Sequence, residues 1–402
     1  MEIVSGIKIK DIFLDNGNWW KFFLKHKDLI RLSIISNVLK LLICRTSFLG
    51  YHHYVCPNCK KGIKVPHTCK SRFCSTCGKK ATDNWIEKNF NILPDTKWQH
   101  IIFTMPDKLW IFFWHNRYLI NLIPPIAANI IKEHAKEKGI KPGIFLAIHT
   151  FGRDLKRNIH IHLSTTIGGL SLDHKEWIKN CYFPESKLKS MWRYAIIKLL
   201  RDEYKDGNLK LPPSLKHVKT YDSFASWTSQ FYKITWNVQL NKHNENKAIN
   251  LKYIGRYVKR PPIGETRIKS YDGKNVVFEY LDHYTNSVDT MDLPVYDFIA
   301  RLICHIHDKN FRVFRYYGFL ANRVRSTLLP IVYTFLNMKD VITNVYITWR
   351  EMIINTLKKD PLYCYLCNKE MILNSFVLPP PTNTINDEHE KIANGFYSFV
   401  LT

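Results

Sequence analysis

Residues 158–167 alternate at period two, with Ile159, Ile161, Leu163 and Ile167 on one face and His160, His162, Ser164 and Thr166 on the other. The first face suits a core, and the second presents two imidazoles side by side. Upstream, residues 144–151 form a continuous apolar run suited to a central strand. The polar turn at 153–158 joins it to the alternating stretch, which predicts a β-hairpin. Residues 99–105 read as a further strand, ended by Pro106. Helical apolar spacing covers 19–42, 82–90 and much of 177–240, with a break at Pro212-Pro213.

The longest apolar stretch, 109–131, carries His115, Arg117 and a Pro124-Pro125 break, so it predicts two core helices and no membrane span. A helix from about 247 to 258 must stop by Pro261-Pro262. Residues 267–280, centred on Asp272-Gly273, predict a second hairpin. From 297 to 325 a helix leads into a basic aromatic segment at 311–317, and the chain beyond about 379 is polar and expected to be loosely ordered. The whole is an α+β chain. Its expected units are a helical lead-in with a cysteine module (1–94), a catalytic domain (95–336) and a C-terminal extension (337–402).

Composition adds a partner. A formal net charge of +25 on 402 residues requires an anionic counterpart. With 14% aromatic residues to stack on unpaired bases, nucleic acid fits better than a membrane. No secretory signal is visible, and most of the ten cysteines stand at metal-binding spacing, as expected in a reducing prokaryotic cytosol.

Cys56-x-x-Cys59 and Cys74-x-x-Cys77 are two knuckles separated by a short basic segment. Four thiolates so spaced can close a tetrahedral structural Zn²⁺ site. Cys69, with His67, His52 or His53, offers an alternative ligand or a second site. A third knuckle, Cys364-x-x-Cys367, reads as half of a zinc ribbon, a site shared across a dimer, or two ordinary cysteines. Cys44, Cys181 and Cys304 stand among apolar residues and are expected to be buried.

Two imidazoles on one strand face can hold a divalent metal, with His149 the candidate third ligand across the hairpin and His100 the runner-up. A second His-x-His, His305 and His307, falls on a helical pattern, where residues two apart diverge, and is rejected as a chelate. On the 247–258 helix, Tyr253 and Tyr257 project from one face beside Lys252, Arg256 and Lys259. Arg312 and Arg315 add basic positions downstream. Metal-held phosphate and paired tyrosines together suggest attack on a phosphodiester, leaving a 5′-phosphotyrosine and a 3′-hydroxyl.

In this order the motifs resemble the two-tyrosine HUH transposases of rolling-circle insertion sequences (insertion-sequence family ninety-one). The matching segments are 53–77, 103–106, 149–152, His160 to His162 with Gly168-Gly169, 253–260 and 311–320, about three quarters of the chain. The resemblance implies an HUH-nuclease core, an antiparallel sheet flanked by helices. It also implies Mg²⁺ or Mn²⁺ at His160 and His162, nucleophiles at Tyr253 and Tyr257, and single-stranded DNA as substrate. Asn158-Ile159 stands where many relatives carry a proline before the first histidine, which alters the turn and not the ligands. Alternatives are a rolling-circle replication initiator or relaxase, with the same chemistry, and a non-catalytic zinc-dependent nucleic-acid-binding protein. A generic metallohydrolase would need more ligands clustered by spacing. Oligomeric state is not encoded in any motif.

Overall fold

The computed structural model describes residues 6–241, 248–249, 251–252, 255, 261–282, 285–338, 348–357, 360–379 and 381. Helical apolar periodicity near the N-terminus yields α1 (Ile9–Leu14), α2 (Asn18–His26) and α3 (Leu32–Leu42), with a 3-10 turn at Lys27–Leu29 splitting the predicted 19–42 helix in two. A hairpin of β1 (Tyr51–Val55) and β2 (Gly62–Pro66) follows, then α4 (Ser75–Ile92).

The middle of the chain runs β3 (Trp98–Thr104), α5 (Asp107–His115), α6 (Ile123–Glu137), β4 (Ile140–Lys141), β5 (Gly143–Phe151), β6 (Arg157–Thr166), β7 (Gly168–Ser171) and β8 (Trp177–Lys179). It continues through α7 (Glu185–Lys205), α8 (Tyr221–Ser229) and β9 (Val238–Asn241). The apolar stretch at 109–131 is divided between α5 and α6, and Pro124-Pro125 sits in the first turn of α6, where a missing N–H costs nothing. A meander of β10 (Ile268–Tyr271), β11 (Asn275–Leu281) and β12 (Val288–Pro294) feeds the helix Val295–Ile303. Then come β13 (Phe314–Gly318), the helices Arg325–Phe335 and Trp349–Leu357, and β14 (Ile372–Val377).

The fold is α+β, built on a five-stranded sheet in the order β13-β5-β6-β3-β9. Every pairing in that sheet is antiparallel. One face carries Ile101, Phe103, Leu146, Ile148, Ile161 and Leu163 into the largest core, where Phe112, Ile131, Trp192 and Phe224 from α5 to α8 cover it. The opposite face carries Trp98, Phe145 and Ala147 under Trp85 of α4, Leu251, and Leu328 and Val332 of the helix Arg325–Phe335. A separate core joins α1 to α3 to the β10–β12 meander through Trp19, Phe23, Val38, Phe278 and Phe298. The meander therefore packs on the N-terminal helices, away from the central sheet's cores.

Two expectations change here. The helix predicted from 297, ahead of the 311–317 segment, ends at Ile303, so His305 and His307 lie beyond it and helical divergence does not separate them. The basic aromatic segment becomes an edge strand, because Phe314, Arg315, Tyr316 and Tyr317 pair with Ala147, Leu146, Phe145 and Ile144 of β5. Pairing to an exposed strand overrode the local pattern.

Gly318 closes that strand at φ +64°, with the carbonyl of Pro142 standing where a Cβ would be. A Gly318→Ala variant must both hold a left-handed backbone and displace the Pro142 carbonyl just before β5. It should lose about 1–3 kcal/mol of stability, read as a lowered urea midpoint. An unchanged midpoint would contradict this close approach.

Candidate functional site

Alternation on β6 and its register with β5 build the centre of the site. His149 stands directly opposite His160, and Ala147 opposite His162, so three imidazoles share the face away from the largest core. One ring nitrogen from each of His149, His160 and His162 lies within 4.8 Å of the others. His149 and His162 are buried and His160 is half-buried, which leaves one side of the cluster open to solvent.

Neighbouring groups orient the rings. Nδ1 of His160 lies 2.9 Å from the carbonyl oxygen of Asn158. A carbonyl only accepts, so the proton is on Nδ1 and the lone pair on Nε2. Nδ1 of His162 lies 3.3 Å from Nε2 of His100. His100, the runner-up ligand, is thus placed behind His162 as its hydrogen-bond neighbour. Burial holds His149 and His162 well below the ordinary imidazole pKa, reinforced by the charges of neighbouring rings, so both are neutral donors near pH 7. Three imidazole nitrogens can hold a divalent ion, and Mn²⁺, though it favours oxygen, accepts such nitrogen ligands alongside phosphate and water oxygens. Mg²⁺, which prefers oxygen, would draw its remaining ligands from phosphate and water.

Arg72 is a residue the sequence reading passed over as one cation among many. It lines a cavity of about 40 Å³ with Ile148, Phe151, Pro261, Pro262, His305 and His307. Desolvation lowers its pKa to about 10, and its charge helps keep His149 neutral. The loop between Cys69 and Cys74 therefore brings a half-buried cation near enough to His149 to act on it electrostatically. His305 does not chelate with His307. Its Nδ1 lies 3.2 Å from Thr150 Oγ1 and its Nε2 3.0 Å from the Leu155 carbonyl, while His307 stacks on Phe311 with ring centroids 4.1 Å apart.

Tyr253, Tyr257, Arg256 and Lys259 lie outside the described residues. Of the predicted 247–258 helix, residues 248–249, 251–252 and 255 are described, and these are helical. Leu251 is buried with Phe145 and Ala147 on the histidine face of the sheet. A Cβ on Gly255 would fall 2.7 Å from Cδ1 of Ile86 and 3.5 Å from the Trp85 ring. The absence of a side chain at Gly255 lets this segment lie close against α4. Lys252 is exposed, as is Arg312, whereas Arg315 donates to the backbone carbonyl and side-chain oxygen of Asn121 at 3.1 and 2.7 Å.

The cysteines regroup. Cys56, Cys59, Cys74 and Cys77 were expected to share one site, but the fold divides them. Cys74 and Cys77 meet Cys44 and Cys69, while Cys56 and Cys59 face Cys364 and Cys367. In the first quartet the sulfurs of Cys44 and Cys77 are 3.6 Å apart, those of Cys69 and Cys77 3.6 Å, and those of Cys44 and Cys74 3.7 Å. A tetrahedron with Zn–S bonds of about 2.3 Å has edges of about 3.8 Å, so the donor set fits zinc. The apolar neighbours of Cys44, which suggested simple burial, are the wall of this quartet: Cys44, Cys74 and Cys77 share a core with Phe13, Phe73 and Leu41. His52 and His67, offered as alternative ligands, hydrogen-bond each other at 3.0 Å.

A family described as "Transposase zinc-binding domain" matches residues 16–105, and one described as "Putative transposase" matches 143–327. The chain is 36% identical over 392 residues to the "Transposase for insertion sequence element IS801" of Pseudomonas savastanoi pv. phaseolicola, covering 97% of this chain and 94% of that one. The chain belongs to the transposases of insertion-sequence family ninety-one. It is also 26% identical over 334 residues to "Putative transposase y4qJ" of Sinorhizobium fredii (strain NBRC 101917 / NGR234), covering 81% of this chain and 83% of that one. No solved structure matches the chain.

In this transposase the zinc-binding match spans the first quartet, and the second match spans β5, β6 and the segment after them. DNA is accordingly the substrate class, and the net charge of +25 agrees with it. Among the described residues no helix is long and apolar enough to cross a membrane.

The buried imidazoles make stability pH-dependent. Burial lowers His100 and His305 each to about 4. A histidine whose folded pKa lies below its unfolded value contributes stability that is complete above about 6.5 and is lost as pH falls toward the folded value. At pH 5 each of these two should have lost about 1–2 kcal/mol. A His305→Asn variant does not titrate there. Its stability deficit relative to the parent, measured by urea unfolding, should shrink by about 1–2 kcal/mol between pH 7.5 and pH 5. A deficit that stays constant would rule out a neutral, buried His305.

Proposed function

We propose that this transposase nicks and rejoins single-stranded DNA, using His149, His160 and His162 as the metal ligands and Tyr253 and Tyr257 as nucleophiles. The observation that carries the reading is the three-imidazole cluster on a sheet face over which Leu251, two residues before Tyr253, is buried. Structural Zn²⁺ in this reading is held by Cys44, Cys69, Cys74 and Cys77.

A tyrosine with a pKa of about 10 is mostly protonated near neutrality, and the phosphodiester repels nucleophiles by its charge. His149, His160 and His162 would hold Mg²⁺ or Mn²⁺, which would supply positive charge to offset that of the phosphodiester. Arg72 adds a second cationic group near the cluster, and the buried rings keep bulk water from one side of it. The phenolic oxygen of Tyr253 or Tyr257 attacks phosphorus. The P–O3′ bond breaks; the phenol gives up its proton to solvent as it attacks, and the departing oxygen takes one up from solvent to become a 3′-hydroxyl, so no proton is gained or lost overall. The new 5′-phosphotyrosine keeps the energy of the broken ester, so a 3′-hydroxyl can reverse the step without ATP. Two tyrosines allow two strand ends to be held at once, which is what strand exchange in a rolling-circle element requires. Lys252, Arg256, Lys259 and Arg312 would hold flanking phosphates, while Arg315 would have to exchange its contact with Asn121 to do so.

The test is incubation with 5′- and 3′-labelled single-stranded DNA spanning an element end in Mn²⁺, resolved on denaturing gels. Only the segment downstream of the nick should become protein-linked. A Tyr253→Phe/Tyr257→Phe double variant should lose that adduct entirely while keeping its zinc. His160→Ala should slow nicking by at least about 100-fold. Adduct formation undiminished in the double variant would overturn the assignment of the tyrosines. Tight binding with no cleavage by the parent protein would instead favour a non-catalytic DNA-binding role.

A further inference from the structure

The pair Cys56 and Cys59 is left over once the first quartet is complete, and the fold brings it to Cys364 and Cys367. The sulfurs of Cys56 and Cys367 are 3.3 Å apart, those of Cys59 and Cys364 3.4 Å, and those of Cys59 and Cys367 3.8 Å. These are the edges of a tetrahedron around one ion. The two pairs lie more than 300 residues apart in sequence, and the zinc-binding family match at 16–105 contains only one of them.

Both knuckles also have the same backbone. After the second cysteine of each stands a left-handed residue, Lys60 at φ +58° and Asn368 at φ +51°. The N–H of each donates to the carbonyl of the first cysteine, Lys60 to Cys56 at 3.1 Å and Asn368 to Cys364 at 2.8 Å. The N–H of each first cysteine closes the turn, Cys56 onto Lys61 at 2.8 Å and Cys364 onto Lys369 at 2.9 Å. The N–H of Lys61 then donates to the sulfur of Cys59, and that of Lys369 to Cys367. Two turns of unrelated sequence thus converge on one geometry that brings four sulfurs together. Around them, Cys56, Cys364 and Met371 form a small buried cluster with Tyr54 and Ile63.

Neighbouring contacts hold the arrangement from both sides. β14 pairs with β1 along its whole length, from Tyr51 with Val377 to Val55 with Ile372. Arg350 binds Asp360 at 2.8 Å and pairs with Glu370, bracketing the C-terminal knuckle. All six residues of β14 are exposed, so packing contributes little to keeping it on β1.

We propose that Cys56, Cys59, Cys364 and Cys367 bind a second structural Zn²⁺, which clasps the C-terminal segment onto the β1–β2 hairpin. The ion closes a loop of more than 300 residues and makes the C-terminal segment part of the N-terminal zinc module. This inference stands apart from the nicking chemistry, since neither the histidines nor the tyrosines enter it.

Full-length protein purified without chelators should contain two zinc ions per chain by plasma mass spectrometry. Cys364→Ser/Cys367→Ser should contain one, and Cys56→Ser/Cys59→Ser should match it. Zinc content unchanged by Cys364→Ser/Cys367→Ser would overturn the proposal. So would loss of two free thiols per chain in the denatured parent protein, the signature of a disulfide in place of the ion. Should the variants fail to fold, cadmium-113 exchange into the parent decides. Two tetrathiolate resonances are expected, and a single one would overturn the second site.

Discussion

The pairing of β5 with β6 is the constraint on which the rest of the site depends. Because side chains alternate along a strand, the register that sets His149 against His160 also sends Ile148 and Ile161 into the largest core. A slip of one residue on β6 would exchange the histidine face for the isoleucine face, placing imidazoles among Phe112, Ile131 and Trp192. The burial of Ile159, Ile161 and Leu163 thus supplies free energy that fixes where the three histidines stand. Chemistry and core are two faces of the same strand.

How much of this was legible depended on the range of the interactions. The hairpin could be read because its signals are local: a continuous apolar run, a polar turn and a clean alternation. For the same reason β10 and β11 appear around Asp272-Gly273 as expected. The edge strand β13 was harder, since Arg312, Arg315 and the aromatics around them have no period that distinguishes an edge strand from the end of a helix. Its identity comes from the unpaired edge of β5. The cysteines failed for a related reason. Spacing identifies a knuckle but not its partner, and two knuckles eighteen residues apart look like a pair. Only the packing of α3 against the 69–77 loop brings Cys44 into range, and only the β1–β14 ladder brings in Cys364 and Cys367.

Arg72 shows what a count of charges leaves out. Most of the lysines and arginines in this basic chain are solvated and are screened by salt over about 10 Å. Arg72 differs because it is desolvated against Ile148, Phe151 and the His305–His307 turn, where the surrounding dielectric is low. Its pKa of about 10 still leaves it charged at neutral pH. A half-buried, desolvated cation near neutral imidazoles creates a field that favours an anion, and DNA phosphate is the anion a transposase handles. The Cys69–Cys74 loop that carries Arg72 is held at both ends by the first quartet. A Zn²⁺ held there would act on the proposed site through distance alone, by fixing where one guanidinium stands relative to His149. In the proposed reading, loss of that ion would weaken the site without touching any of the three histidines, and the cysteine quartet would serve it as a positioning element.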